Sequence, residues 1–197
     1  MTLKMSFFFL VLLVPQILLA APASKKQRRI LFDVTALLGY GSIKTSTDAA
    51  SPTIGSFTLG VALGVNIKRF SVGLGYDYRI LTQHSDVDTT VGNRRGNFTS
   101  PLSFFVRLNF EKVKFGFMLI NSGQYDLMNA TIDGKKVTYL KPSGFRFTVN
   151  FKNFKKVSPG LFYESVDFSE KSVDGVSSVM TDKLNYGNYG LGVRYEF

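Results

Sequence analysis

Tyr189-Gly190-Leu191-Gly192-Val193-Arg194-Tyr195-Glu196-Phe197 is the last stretch of the sequence, and its alternation decides the fold. Side chains along a strand point alternately to opposite faces. Tyr189, Leu191, Val193, Tyr195 and Phe197 therefore share one face, wholly apolar and aromatic. Gly190, Gly192, Arg194 and Glu196 share the other, which is tiny or charged.

The same period of two recurs upstream. Apolar residues occupy every second position over 30–40, 57–67, 70–80, 102–110, 113–119, 145–151 and 157–163. The opposite faces are mostly Gly, Ser, Thr and Asn with a few charges, as in Ser71, Gly73, Gly75, Asp77 and Arg79. The pattern is weakest from Val157, where Pro159 interrupts one face and Phe162 sits on the other. Connections alternate in length. Lys68-Arg69, Glu111-Lys112 and residues 152–156 are tight, whereas 43–53, 83–99, 126–138 and 168–183 are long and polar. Short turns and both strand termini then lie at one rim, and long loops at the other. An even strand count suits antiparallel closure. The expected fold is all-β: an eight-stranded antiparallel up-and-down transmembrane β-barrel over residues 30–197.

The chain has 197 residues, no cysteine and a net charge of +10. Such basicity suggests nucleic acid, but the lysines are scattered through connecting segments, without a basic stripe, recognition helix or RNA-binding motif. No nucleic-acid partner is expected. The lack of cysteine excludes a disulfide framework, a thiolate metal site and a lipidated cysteine. Mean hydropathy is only +0.08; a barrel looks this neutral because half of each strand faces inward. Residues 1–23 read as an export signal: Lys4, an apolar stretch broken by Pro15, and an A-x-A site at Ala21-Pro22-Ala23. An uncleaved anchor fits less well, because Pro15 and Gln16 leave the run short of the roughly 20 residues a helical span needs. Residues 24–29 follow as a short basic leader.

Alternation alone leaves open which face meets the surroundings, since a lipocalin-like barrel has the same period with its apolar face inside. Three features turn the apolar face outward, toward lipid. Small residues on the other face suit the narrow lumen of eight strands. The apolar face runs for about five alternate positions in most strands, the height of a hydrocarbon band. Export agrees. Tyr40, Tyr76, Tyr78 and Tyr163 at one rim, and Phe70, Phe110, Phe151, Tyr195 and Phe197 at the other, are the expected interfacial girdles, built without Trp. The lumen then encloses Asp33, Asp77, Arg79, Arg107, Lys114, Arg146, Glu164, Arg194 and Glu196. Buried charges must pair. Strand direction sets Arg146 beside Glu164, and Asp33 near Arg194 and Glu196, with Asp77 and Arg79 in the upper half. Such a set either plugs the lumen and fixes register or lines a gate; a bore this narrow favours the plug.

No metal-ligand cluster or phosphate loop stands out, and no cofactor is expected. His84, the only histidine, precedes Ser85 and Asp86. Adjacency in a loop does not build a catalytic triad, which needs convergence in space. Asn97-Phe98-Thr99 and Asn129-Ala130-Thr131 match the glycosylation sequon by chance. Arg94 and Arg95 in the second long loop offer charges that lipopolysaccharide phosphates would accept, with loop solvation the simpler reading. Lys152, Lys155 and Lys156 offer the same at the short-turn rim to anionic headgroups or peptidoglycan.

Taken together, the export signal, the alternation, the loop asymmetry and the Tyr195-Glu196-Phe197 end resemble the small OmpA/OmpX-like outer-membrane barrels over the whole mature chain. The resemblance implies a Gram-negative outer-membrane location, contact with outer-membrane lipid and lipopolysaccharide, and insertion by the barrel-assembly machinery, with Tyr195 and Phe197 as the assembly signal. Barrels of this size in that family are commonly anchors, adhesins or surface-interaction proteins. The role so implied is non-enzymatic, with four loops offered to an extracellular ligand. A narrow pore or carrier for small or hydrophobic solutes is the alternative. A lipid-modifying enzyme fits less well. The His-x-Ser spacing of the lipid A deacylases is missing, and residues 24–29 are too short for the amphipathic helix that begins the palmitoyltransferase barrels. With no periplasmic domain after Phe197, a stand-alone barrel is expected.

Overall fold

The computed structural model describes residues 30–84, 89, 91–128, 134–152 and 156–197. The expected export signal and basic leader, residues 1–29, lie outside them. The strands are β1 (Ile30–Lys44), β2 (Thr53–Ile67), β3 (Phe70–Gln83), β4 (Gly96–Asn109), β5 (Val113–Ile120), β6 (Gln124–Leu127), β7 (Val137–Phe151), β8 (Val157–Val173) and β9 (Val176–Glu196). Every pairing is antiparallel. The order around the sheet is β3-β2-β1-β9-β8-β7-β5-β4, and β3 pairs with β4 to complete the ring. β5 and β6 share one place between β4 and β7, so nine strands make a ring of eight. The break between them contains Gly123 at φ 128°, where a Cβ would lie 2.0 Å from the Thr99 carbonyl oxygen. Glycine alone fits that backbone.

The seam is continuous. β1 pairs with β9 from Asp33↔Glu196 to Lys44↔Asn185, so the first and last strands of the barrel leave no open edge along this length. Leu38, Leu74, Phe115, Phe117 and Leu191 face outward and are exposed. Aromatic rings tile part of that exterior, with Phe117 and Phe145 stacked at 5.9 Å and Phe115 and Phe147 at 6.3 Å. Inward, a few large side chains fill the bore, and glycines make room for them. A Cβ on Gly73 would meet the Phe105 ring at 2.8 Å, and one on Gly39 the Phe162 ring at 2.7 Å. The glycine-rich face is thus a consequence of the small circumference.

In its upper part the barrel reverses its polarity. Along β1 the outward residues change from Leu38 and Tyr40 to Ser42 and Lys44, while the inward ones change from Asp33 and Thr35 to Ile43. The same crossing takes β3 from Asp77 and Arg79 to Leu81, and β9 from Arg194 and Asn188 to Tyr186 and Leu184. Ile43, Ile54, Leu81, Phe98, Tyr125, Tyr139, Phe168 and Tyr186 meet there in an apolar core. Between Ile30 and Tyr40 the lower wall rises roughly 25 Å, at about 3.3 Å per residue and a tilt near 40°.

Two expectations change. Residues 168–183 are not a long loop. β8 and β9 run on as a hairpin and turn at Asp174-Gly175, both at positive φ (47° and 86°). That is the Asp-Gly signature of a tight hairpin turn, masked by the polarity of Ser169, Ser172, Ser177 and Ser178. Likewise, parts of 83–99 and 126–138 belong to β4, β6 and β7.

Packing of Phe105 against glycine gives a test. Gly73→Val puts a branched side chain against the Phe105 ring and 2.2 Å from the Leu63 carbonyl oxygen. The variant is expected to lose about 1–3 kcal/mol in urea unfolding from detergent or lipid, whereas outward Val72→Leu stays within about 0.5 kcal/mol.

Candidate functional site

All nine charges expected in the lumen lie on inward positions, and the structure gathers most of them into compact groups. The upper group joins three strands. Arg79 of β3 donates through Nε to Glu164 Oε1 of β8 at 2.9 Å and through Nη2 to Glu164 Oε2 at 3.0 Å and Asp77 Oδ2 at 3.2 Å. Arg146 of β7 donates through Nε to Glu164 Oε2 at 2.7 Å, and its Nη1 lies 3.0 Å from Asp77 Oδ2. Two guanidinium groups and two carboxylates thus neutralise one another in a buried quartet. The expected Arg146–Glu164 neighbours are directly opposite in register.

In the lower groups Asp33 lies opposite Glu196 in register and within ion-pair reach of Arg194, as expected, but the main partners come from across the bore. Asp33 of β1 takes its main partner from across the bore: Arg107 of β4 holds it through both Nη atoms. Arg194, the expected partner, approaches Asp33 only to 3.8 Å. Glu196 instead pairs with Lys114 of β5. Arg107 and Arg79 also lie over aromatic rings, 4.1 Å from the Phe105 centroid and 4.3 Å from that of Phe98. Between the groups is a cavity of only about 20 Å³, lined by Thr35, Asp77, Arg107, Arg146, Thr148 and Arg194 among others. It has room for about one water molecule.

Above the apolar core sits a second polar cluster that no sequence signal revealed. Arg94 is fully buried, not solvated or available to lipopolysaccharide. Its Nη2 donates to Asp48 at 2.8 Å, its backbone N–H donates to Gln83 Oε1 at 2.9 Å, and its carbonyl accepts from the Tyr125 hydroxyl. Asp48 also accepts from the Thr45 N–H at 2.6 Å. Asp182 on the β8–β9 hairpin clasps the first loop by accepting from the Ser46 hydroxyl at 2.5 Å and the Thr47 N–H at 2.9 Å. The Ser46 bond leads in holding the Asp182 carboxyl below the usual carboxylate range. Burial pushes the Tyr139 phenol up to about 12, and that of Tyr125 well above its ordinary value.

The remaining sequence candidates do not converge. His84 lies on the exterior, stacked on Tyr40 at 6.2 Å, while Ser85 and Asp86 are outside the described residues, as are Asn129-Ala130-Thr131 and Lys155. Asn97-Phe98-Thr99 runs within β4 with Phe98 buried inside. Arg95 is exposed and donates to the Gln83 carbonyl at 3.2 Å. Tyr195 and Phe197 lie together at the short-turn rim, their centroids 4.8 Å apart, with Phe197 also 5.0 Å from Phe32.

No family model and no curated protein matches the chain. Solved structures do. Neisserial surface protein A aligns with a TM-score of 0.52 and 16% identity, over 84% of this chain and 97% of that one. An outer membrane channel from Pseudomonas putida F1 aligns with a TM-score of 0.36 and 7% identity, over 90% and 100%. With the closed ring of eight strands, the first likeness gives the chain the fold of an outer-membrane β-barrel.

Proposed function

We propose that this chain is an integral barrel of the bacterial outer membrane, of the OmpA/OmpX-like kind, with a closed lumen and a structural or surface-interaction role carried by its upper end. One observation carries the reading: the barrel wall is apolar outside and charged inside for roughly 25 Å, then polar outside and apolar inside above Tyr40 and Tyr189. A barrel wholly in water would keep its apolar face inside throughout. A change of sign along the axis fits a change of surroundings, hydrocarbon below and water above. The charged short-turn rim, with Lys68, Arg69, Glu111 and Lys112, faces the periplasm in this reading. Tyr195 and Phe197 serve the assembly machinery, and outer-membrane lipid and lipopolysaccharide surround the belt.

Surface interaction is favoured over transport because side chains and ion pairs fill the bore and leave between them a cavity of about 20 Å³. It is favoured over lipid chemistry because His84 stacks on Tyr40 outside the barrel, remote from the lumen carboxylates. The upper end is well braced for display: Asp48, Arg94, Gln83, Tyr125 and Asp182 tie the loops and hairpin to one another.

Envelope fractionation tests the location. The chain is expected in the outer-membrane fraction, migrating faster in gels before boiling than after; recovery in the soluble periplasm refutes the reading. In planar bilayers the purified protein is expected to give no unitary current, and reproducible steps at low salt would favour the pore. The quartet that closes the bore should also hold the fold. Glu164→Gln leaves Arg79 and Arg146 to share Asp77, and a loss of about 3–5 kcal/mol in unfolding free energy is expected. The outward neighbour change Leu161→Ile should cost less than about 1.5 kcal/mol.

A further inference from the structure

The ionic groups of the lumen cancel almost completely. Arg79 and Arg146 balance Asp77 and Glu164, Arg107 balances Asp33, and Lys114 balances Glu196. Arg194 is left over. It is 4% exposed, its nearest carboxylate, Asp33, is 3.8 Å away and already held by Arg107, and Glu196 is paired with Lys114. Among the described residues, Arg194 Nε and Nη1 are buried and make no hydrogen bond. A guanidinium does not shed its proton to escape such a position. An uncompensated buried charge costs several kcal/mol.

We infer that a single chloride-sized anion sits beside Arg194 in the mid-lumen cavity. That cavity, about 20 Å³, is lined by Arg107, Arg146 and Arg194, and by Thr148, whose Oγ1 is also buried without a partner. Asp77 lines it too, but is engaged by Arg79 and Arg146. Water in the cavity would accept the free N–H groups and leave the charge. A monovalent anion does both. Its size is limited to about that of a water molecule, which excludes phosphate and sulfate. The way in is on the page as well. Arg107 separates the cavity from a hollow of about 160 Å³ at the short-turn rim, where Lys68, Lys114 and Lys152 outnumber Glu196. Field lines in such a mouth concentrate anions.

Two measurements on the folded full-length barrel decide the matter. Crystals grown in sodium bromide are expected to show an anomalous peak in the cavity, in contact with Arg194 Nε. Melting temperature is expected to rise by about 5 °C between sodium gluconate and sodium chloride at equal ionic strength, as a site occupied only in the folded state requires. Arg194→Gln, which removes the charge and keeps a shorter polar amide, is expected to abolish that difference. A cavity without bromide density at saturating bromide, or a melting temperature that is the same in both salts, overturns the inference. Should Arg194→Gln fail to fold, the bromide density in the unsubstituted chain decides alone. The result is independent of which membrane, if any, holds the barrel.

Discussion

Backbone closure governs everything else in this molecule. A strand surrounded by hydrocarbon has no water to bond its N–H and C=O groups, so each must find another strand. The β1–β9 seam supplies the last of these partners. Once eight strands close, the circumference is set, and with it a bore barely wide enough for side chains. That narrowness dictates composition. Gly39, Gly64 and Gly73 are glycine because Phe162 and Phe105 already occupy the space their side chains would take.

Closure also separates two problems that a soluble domain solves together. In water, burying apolar groups drives folding. In lipid, the outer apolar face gains nothing from a neighbour that is as apolar as itself. The lower barrel is therefore held chiefly by its hydrogen-bond ladder and by the side chains that fill its bore, Phe105 and Leu31 among them. The upper barrel, with Ser42, Thr82 and Asn185 outside, builds an ordinary apolar core from Ile43, Phe98, Tyr125 and Phe168. Arg79 marks the change, with its guanidinium bonded to Glu164 and lying 4.3 Å from the centroid of the Phe98 ring. The single barrel thus has a lower core that mixes ion pairs with a few apolar side chains and an upper core of hydrocarbon, stacked end to end.

Strand parity made the ring and the inward set of charges legible, because a period of two is a direct property of the pleat. It did not reveal the upper core. At Ile80-Leu81, apolar residues of both parities follow one another, and the pattern fades where it changes sign. Arg146 beside Glu164 is legible because the two pair across adjacent strands. Arg107–Asp33 and Lys114–Glu196 are not, since β4 and β1, or β5 and β9, are not neighbours in the sheet. Those contacts cross the bore, and only the closed shape brings them together. Arg94 and Asp48 were hidden for a similar reason: both lie in connecting segments, where no periodicity operates.

The cross-bore pairs have a purpose beyond stability. Desolvation offsets most of what a buried ion pair gains, so such pairs are weak as glue. They are strong as a register device. Arg79 and Glu164, Arg107 and Asp33, and Lys114 and Glu196 join strands well apart around the ring. A slip of any strand by one residue would turn its inward charge to the outside. In lipid that costs about 2–4 kcal/mol for an Arg or Lys near the midplane, in addition to orphaning the partner. The penalty falls on every misaligned barrel and on no aligned one. Polar strands with many glycines specify register poorly by themselves, and a narrow bore gives them the means to correct this, because opposite walls are within reach of a single arginine.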